Sequence, residues 1–296
     1  MEAWRAAGER HAVAVLTGAW HSAPRRPGAR FARSASGEIA GNVSAGCVEA
    51  DLAERLAAVL AGGPPGFATY GVSDETAHGV GLACGGTIEV FLAGRRPDDP
   101  VWPEILRRLD ARDPALLLTD VAPAHAGRRW LTDPEGRVLA TDADGPPPEP
   151  AVAAGRSRLR TGGVLTVDAA GDAVDEPGAD AATLVEILLP PRRLLVVGAT
   201  PVGAALARLA VAAEIPVEVI EPRTAYAASL ADTPVAVDGR WPDEALDDRE
   251  GDPSTAVAVV AHDERIDVAA LDRVLRQPYG YVGLLGGGRT RRHRFE

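Results

Sequence analysis

Apolar residues fall into two rhythms along this chain. From residue 191 onward they come as short unbroken runs: LLVV (Leu194–Val197), VEVI (Val217–Ile220), VAV (Val235–Val237), AVAVVA (Ala256–Ala261) and YVGLL (Tyr281–Leu285). Such runs predict strands buried on both faces. Helical spacing fills two of the gaps, Val202 to Ala213 and Ile266 to Gln277, the second with Val268, Leu271 and Val274/Leu275 on one face. Strands alternating with helices in this way predict a doubly wound parallel sheet of the Rossmann type.

The N-terminal rhythm is mixed. His11 to Gly18 (HAVAVLTG) reads as a buried strand, Ser22 to Arg30 as turns, and Thr87 to Leu92 (TIEVFL) as an alternating strand. Val48, Leu52, Leu56 and Val59/Leu60 predict a helix over Val48 to Ala61, stopped by Gly62-Gly63-Pro64-Pro65. After a polar, proline-bearing stretch at Arg95 to Pro100, strands return. ALLLTDV starts at Ala115, and RRWLTDPEGRVLAT has the hairpin turn Asp133-Pro134-Glu135-Gly136. Asp142 to Pro150 reads as a proline-rich loop, Gly163 to Val167 as a strand, and Pro190-Pro191 as a boundary. The expected fold class is α/β, with a mixed α+β N-terminal domain followed by the Rossmann-type sheet. Domains are expected at 1–95, at 96–190 as a β-rich extension of the first, and at 191–296.

Composition narrows the chemistry. The chain has 296 residues and is 46% apolar but only 4% aromatic, so its cores rest on Ala, Val and Leu. A formal net charge of −11 argues against nucleic acid or anionic lipid as a partner. No apolar run approaches the ~18 residues of a membrane span, so a cytoplasmic protein is expected. All 31 basic side chains are arginine. The lack of lysine excludes Schiff-base chemistry and a P-loop kinase or ATPase. Cys47 and Cys84 have none of the spacing of a structural zinc site, which leaves packing or chemistry for their thiols.

Ligands of such a sheet sit beyond the carboxyl ends of its strands. The residues found there are Gly198, Glu221, Asp238, His262, Asp263 and Gly286. The first turn, Gly198 to Gly203 (GATPVG), matches the dinucleotide fingerprint except that Thr200 replaces the middle glycine. Thr200 suits a helix N-cap followed by Pro201, and the helix start retains amides for an anion. Glu221 stands where an acid binds ribose hydroxyls. Asp263 suits either capping or ligand work, and His262 either a strand end or acid–base chemistry. The arginines at 289, 291, 292 and 294 read as solvated.

Three glycine-bearing segments cluster before residue 90. Arg25 and Arg26 lie in a turn, Gly46 and Cys47 precede a helix, and Cys84, Gly85 and Gly86 precede a strand. Amides at a helix start favour thiolate, and guanidinium forks suit phosphate. Each cysteine alone is equally a buried packing residue. Together the segments suit a phosphorylated, sulfur-rich ligand.

HSAPRRPGA, GNVSAGCVE, GLACGGTIEV, AHDERID (Ala261–Asp267) and YVGLLGG (Tyr281–Gly287) closely resemble motifs of the XdhC/CoxI family of xanthine dehydrogenase accessory proteins. His21 and Ala45 replace glycines of that pattern, and Ala261 replaces a threonine. Family chains continue past Glu296, so the Rossmann sheet is expected to be incomplete at its C-terminal end. The resemblance implies a chaperone that binds molybdenum cofactor and assists insertion of its sulfurated form into a xanthine dehydrogenase-type molybdenum hydroxylase. It implies that Cys47 and Cys84, with Gly46, Gly85 and Gly86, line the cofactor site, flanked by Arg25 and Arg26. A cysteine desulfurase or cofactor-modifying protein is a second expected partner class, and a homo-oligomer the expected assembly. Gly198, Gly203, Glu221, His262, Asp263 and Gly286 are expected to bind NAD or the nucleotide end of the cofactor. The rival readings are a nicotinamide-dependent oxidoreductase, with His262 as acid/base beside Asp263, and an interaction scaffold whose glycines serve only turns.

Overall fold

A computed structural model of the chain describes residues 2–71, 86–159, 161–174 and 180–286. The chain divides into two compact units, Met1–Leu189 and Pro190–Glu296.

The first unit opens with a short helix, α1 (Glu2–Ala6), and holds two antiparallel sheets. One is built from β1 (His11–Trp20), β2 (Arg30–Ser34), β3 (Ile39–Gly41), β4 (Gly66–Tyr70) and β5 (Thr87–Arg95), in the order β3-β2-β1-β5-β4. Every residue of β1 from His11 to Thr17 is buried, because the strand is central and covered on both faces. Its period-two alternation splits the load between two cores. Ala12, Ala14 and Leu16 join Ile88, Val90 and Leu92 under α2 (Glu49–Leu60), which contributes Leu52 and Leu56. Val13 and Val15 join Phe91 and Ala93 on the opposite face, against Val121 and Leu184.

The second sheet comprises β6 (Ala115–Asp120), β7 (Arg129–Thr132), β8 (Val138–Thr141), β9 (Gly163–Val167) and β10 (Thr183–Leu188), in the order β8-β7-β6-β10-β9. The DPEG hairpin expected from sequence is the β7–β8 connection. Helix α3 (Val101–Asp110) packs Val101 and Ile105 on Leu117 and Leu131. Helix α4 (Glu149–Ser157) packs Ala151 and Val152 on Leu116 and Leu118, the other side of β6. The loop expected over Asp142 to Pro150 thus ends two residues earlier. Glu149 and Pro150 form the first turn of α4, where a proline costs no hydrogen bond. An ion pair between Arg30 of β2 and Glu186 of β10 joins the two sheets.

The second unit is a five-stranded parallel sheet. Its strands are β11 (Arg193–Val197), β12 (Val217–Ile220), β13 (Ala236–Asp238), β14 (Thr255–Val259) and β15 (Tyr281–Leu284), in the order β13-β12-β11-β14-β15. Helix α5 (Pro201–Ala212) links β11 to β12, α6 (Thr224–Ala227) and α7 (Pro242–Asp247) lie on the way to β13 and β14, and α8 (Glu264–Val274) precedes β15. Ala204 and Ala207 of α5 pack against Val196 and Val219, whereas Ile266, Ala270 and Val274 of α8 join Leu195 and Val257 in a different core. Helices therefore cover both faces, as buried apolar strands demand.

Candidate functional site

Strand register gathers the N-terminal motifs at one end of the first sheet. Trp20 pairs with Thr87, Phe31 with Gly41, and Tyr70 with Ile88. The loops at 21–29 and 42–48, and the chain leaving at Gly71 and returning at Gly86, all start from that end. Gly86 has a steric reason to be glycine: a Cβ there would stand 2.2 Å from the carbonyl oxygen of Ser22. The HSAPRR turn and the strand that follows the second cysteine motif are thus pressed together. Cys84 and Gly85 lie outside the described residues, as do the arginines at 289, 291, 292 and 294.

The loop before α2 is organised by Glu49. The amides of Val43 and Ser44 donate to its Oε1 at 3.0 and 2.8 Å. The amides of Gly46 and Val48 donate to Oε2 at 2.9 and 3.2 Å, and the Ser44 hydroxyl does so at 2.6 Å. Ala45 (φ 65°) and Gly46 (φ 112°) take left-handed conformations, which turns successive amides inward. Burial pushes the Glu49 carboxyl up, but the Ser44 and Val43 donors outweigh it and hold it below the ordinary 4.5. Sequence reasoning assigned these amides to a Cys47 thiolate and an incoming anion; four of them are bonded to Glu49 instead. Cys47 is exposed and its thiol is free. Nearby, Arg25 Nε donates to Asn42 Oδ1 at 3.3 Å, and the same oxygen accepts the Ala45 amide at 2.8 Å. Arg26 is exposed. Glu49 was missed, although an acid in the first helical turn is a recognised anchor for orphan amides.

In the parallel unit the fingerprint turn is closely packed. Gly198 has φ 105°, and a Cβ on it would meet Ala261 Cα at 2.3 Å; one on Gly203 would meet the Gly198 carbonyl oxygen at 1.9 Å. Thr200 is the N-cap of α5, its hydroxyl accepting the Gly203 amide and donating to the Val260 carbonyl at 2.9 Å. Glu221, 1% exposed, accepts the Ala199 amide at 2.7 Å and forms a two-pronged pair with the Arg223 guanidinium, both prongs at 2.8 Å. Burial raises its carboxyl, but the Arg223 and Ala199 donors prevail and it lies below 4.5. Arg223 also stacks on Tyr226, 4.1 Å from the ring centroid.

His262 follows β14 in a left-handed conformation (φ 54°) and is exposed. Asp263 is the N-cap of α8, accepting the Arg265 amide at 3.1 Å and pairing with the Arg265 guanidinium. Among the described residues no hydrogen bond joins His262 to Asp263, whose carboxylate is engaged by Arg265. Gly286, just past β15, is exposed. No group of three or more His, Cys, Asp or Glu among the described residues is placed to hold a metal ion. No helix among them is long and apolar enough to cross a membrane.

A parallel sheet whose first strand, β11, is central with two strands on either side, and a glycine turn at that first strand, defines a Rossmann-type unit. Here it is joined to an antiparallel unit with an exposed cysteine loop. The chain belongs to the XdhC and CoxI family: that family's pattern matches residues 4–71, and the pattern of the XdhC Rossmann domain matches residues 194–296. A similar solved structure is that of a protein from Bacillus halodurans described as a xanthine dehydrogenase. It is 21% identical with a TM-score of 0.69, over 99% of this chain and 83% of the other, which is a likeness of fold. No curated protein matches the sequence.

Proposed function

We propose that this chain binds molybdenum cofactor and assists insertion of the sulfurated form into a xanthine dehydrogenase-type hydroxylase. Family membership supports the accessory role. The observation that carries the cofactor reading is the gathering of the HSAPRR turn, the Cys47 loop and Gly86 at one sheet end, with the free Cys47 thiol exposed. The donor set fits the group: a thiol is a soft ligand, and Arg25 and Arg26 are exposed guanidiniums suited to a phosphate. When bound, the cofactor supplies a phosphate, a dithiolene and a metal centre; the chain's own residues hold it and shield it. In the second unit, the Gly198 turn and Glu221 are assigned to NAD or to the nucleotide end of the cofactor. Binding there requires Glu221 to exchange a bond now made to Ala199 or Arg223.

Cys47→Ser tests the reading, with molybdenum measured by elemental analysis on protein purified from a molybdenum-replete host. The expected result is loss of bound molybdenum with melting unchanged, since an exposed side chain contributes within about 0.5 kcal/mol. Full molybdenum loading in the variant would overturn the ligand role of Cys47.

A further inference from the structure

The pairing of β1 with β5 slips between Leu16 and Gly18, so that Thr17 is an extra residue in the ladder. Bulges of this kind re-aim side chains and occur next to functional sites. Here the slip brings the Thr17 hydroxyl to 2.8 Å from Oε1 of Glu89, which it serves as a donor. Glu89 alternates with Phe91 and Ala93, and so lies on the sheet face that turns toward β9 and β10. It is only 5% exposed, and its Oε2 has no hydrogen-bond partner among the described residues. A buried carboxylate oxygen left without a donor is costly. Burial accordingly pushes the Glu89 carboxyl up, with only the Thr17 hydrogen bond opposing.

Glu89 lines a cavity of about 200 Å³ whose walls include Thr17, Gly18, Trp20, Arg158 and Thr166. The Trp20 indole lies across Gly18, where a Cβ would stand 2.3 Å from the ring, and it gives the cavity a flat aromatic wall. The volume is below that of sites for drug-sized ligands, so it suits a ring system and not a whole dinucleotide. An ionised carboxylate has about four acceptor positions, of which Thr17 uses one. Both oxygens therefore remain able to take a pair of parallel N–H donors, as carboxylates do from planar forks. The terminal torsion of a glutamate is soft, so turning the carboxyl into the cavity is cheap. Arg158 in the wall disfavours a cationic fork and is on hand as a donor to a ring carbonyl.

We propose that this cavity holds the 2-amino-4-oxopyrimidine edge shared by pterins and guanine, with Glu89 accepting the ring N–H and the exocyclic amine. The assignment deepens the cofactor reading, on which it rests, by naming the group that holds the heterocycle.

Titration of the full chain with pterin-6-carboxylate, GMP and lumazine, followed by fluorescence, is the test. Lumazine has an oxo group in place of the amine and would set an oxygen against the carboxylate. Wild-type protein is expected to bind pterin at least about tenfold tighter than lumazine. Tighter binding of pterin than of GMP identifies the pterin as the source of the edge, and the reverse identifies guanine. Glu89→Gln, nearly isosteric, presents an amide that can donate to the oxo group, so the preference for pterin over lumazine should shrink or invert while melting does not fall. Equal binding of pterin and lumazine by wild type, an unchanged preference in E89Q, or binding of neither pterin nor GMP would each overturn the proposal. The outcomes separate from those of the cofactor reading: wild-type protein that discriminates pterin but never carries molybdenum overturns that reading and leaves the Glu89 assignment standing.

Discussion

Two turns in this protein have the form of anion cradles, and each already contains a carboxylate of its own. Before α2, Glu49 gathers donors from Val43 to Val48, all within six residues of itself. Beside α5, Glu221 comes from the end of a neighbouring strand and ties the Ala199 amide to Arg223. The first arrangement is local and partly open to solvent, with Cys47 outside it; the second is buried and fastens two strand ends. Glycine turns and helix starts are therefore weak guides to ligands until the internal acceptors have been counted. The same comparison separates what each acid is worth: one sets the shape of a loop, the other the junction of a sheet.

The largest expected effect is at the buried acid. Glu221→Ala leaves the Ala199 amide and the half-buried Arg223 guanidinium without their acceptor, and should lower stability by about 3 kcal/mol. Hydrogen exchange at 195–199 and 218–221 should rise together; a rise confined to Ala199 would show that the junction is not shared. Glu49→Ala should cost about 2 kcal/mol, read as faster exchange at the amides of 43–48 with smaller changes in the strands. Exchange accelerating across the whole first sheet would break the contrast. Smallest is the effect of acid. Both carboxyls lie below the ordinary 4.5, so their contribution is complete above that pH and is lost as pH falls through the lowered folded-state values. Glu89 has the opposite sign: its carboxyl is raised, so its contribution is complete below 4.5 and declines as pH rises through the higher value. Melting curves of E49Q and E221Q should therefore converge on wild type below pH 4.5, whereas E89Q should gain on wild type above it.

The parallel unit was legible in the sequence because its signals are local. Leu195 to Val197, Val257 and Val259 are buried, and their segments carry no polar interruption. Thr200-Pro201 predicts a cap and first turn from two residues, and the cap forms. The antiparallel unit was only half legible. Strands β2 (RFARS) and β4 (GFATY) are short and polar-bearing, and they exist because β1 and β5 offer them edges, which no window of sequence contains. Helix α3 has Pro103 near its start and followed other prolines, a pattern that reads as a break although a first turn tolerates it. At the site, Arg25, Gly46 and Cys47 were visible as types in a pattern. Glu49 and Glu89 were not, since what marks them is the number of donors the fold sends to each: five in one case, a single hydroxyl in the other.

The topology of the first unit also dictates how it must be made. Strand β1, mostly apolar, is made well before its partner β5, which begins at Thr87, and the Arg30–Glu186 contact spans 156 residues. Until β5 is synthesised, one edge of this largely buried strand waits unpaired, and such an edge is a template for joining other chains. Non-local pairing of this kind folds slowly, whereas the β11–α5–β12 unit closes within a few dozen residues. A nascent chain would thus finish the parallel unit readily and the antiparallel unit with difficulty. Yield in a foreign host should therefore depend on translation speed and temperature through residues 11–95, before any cofactor is involved.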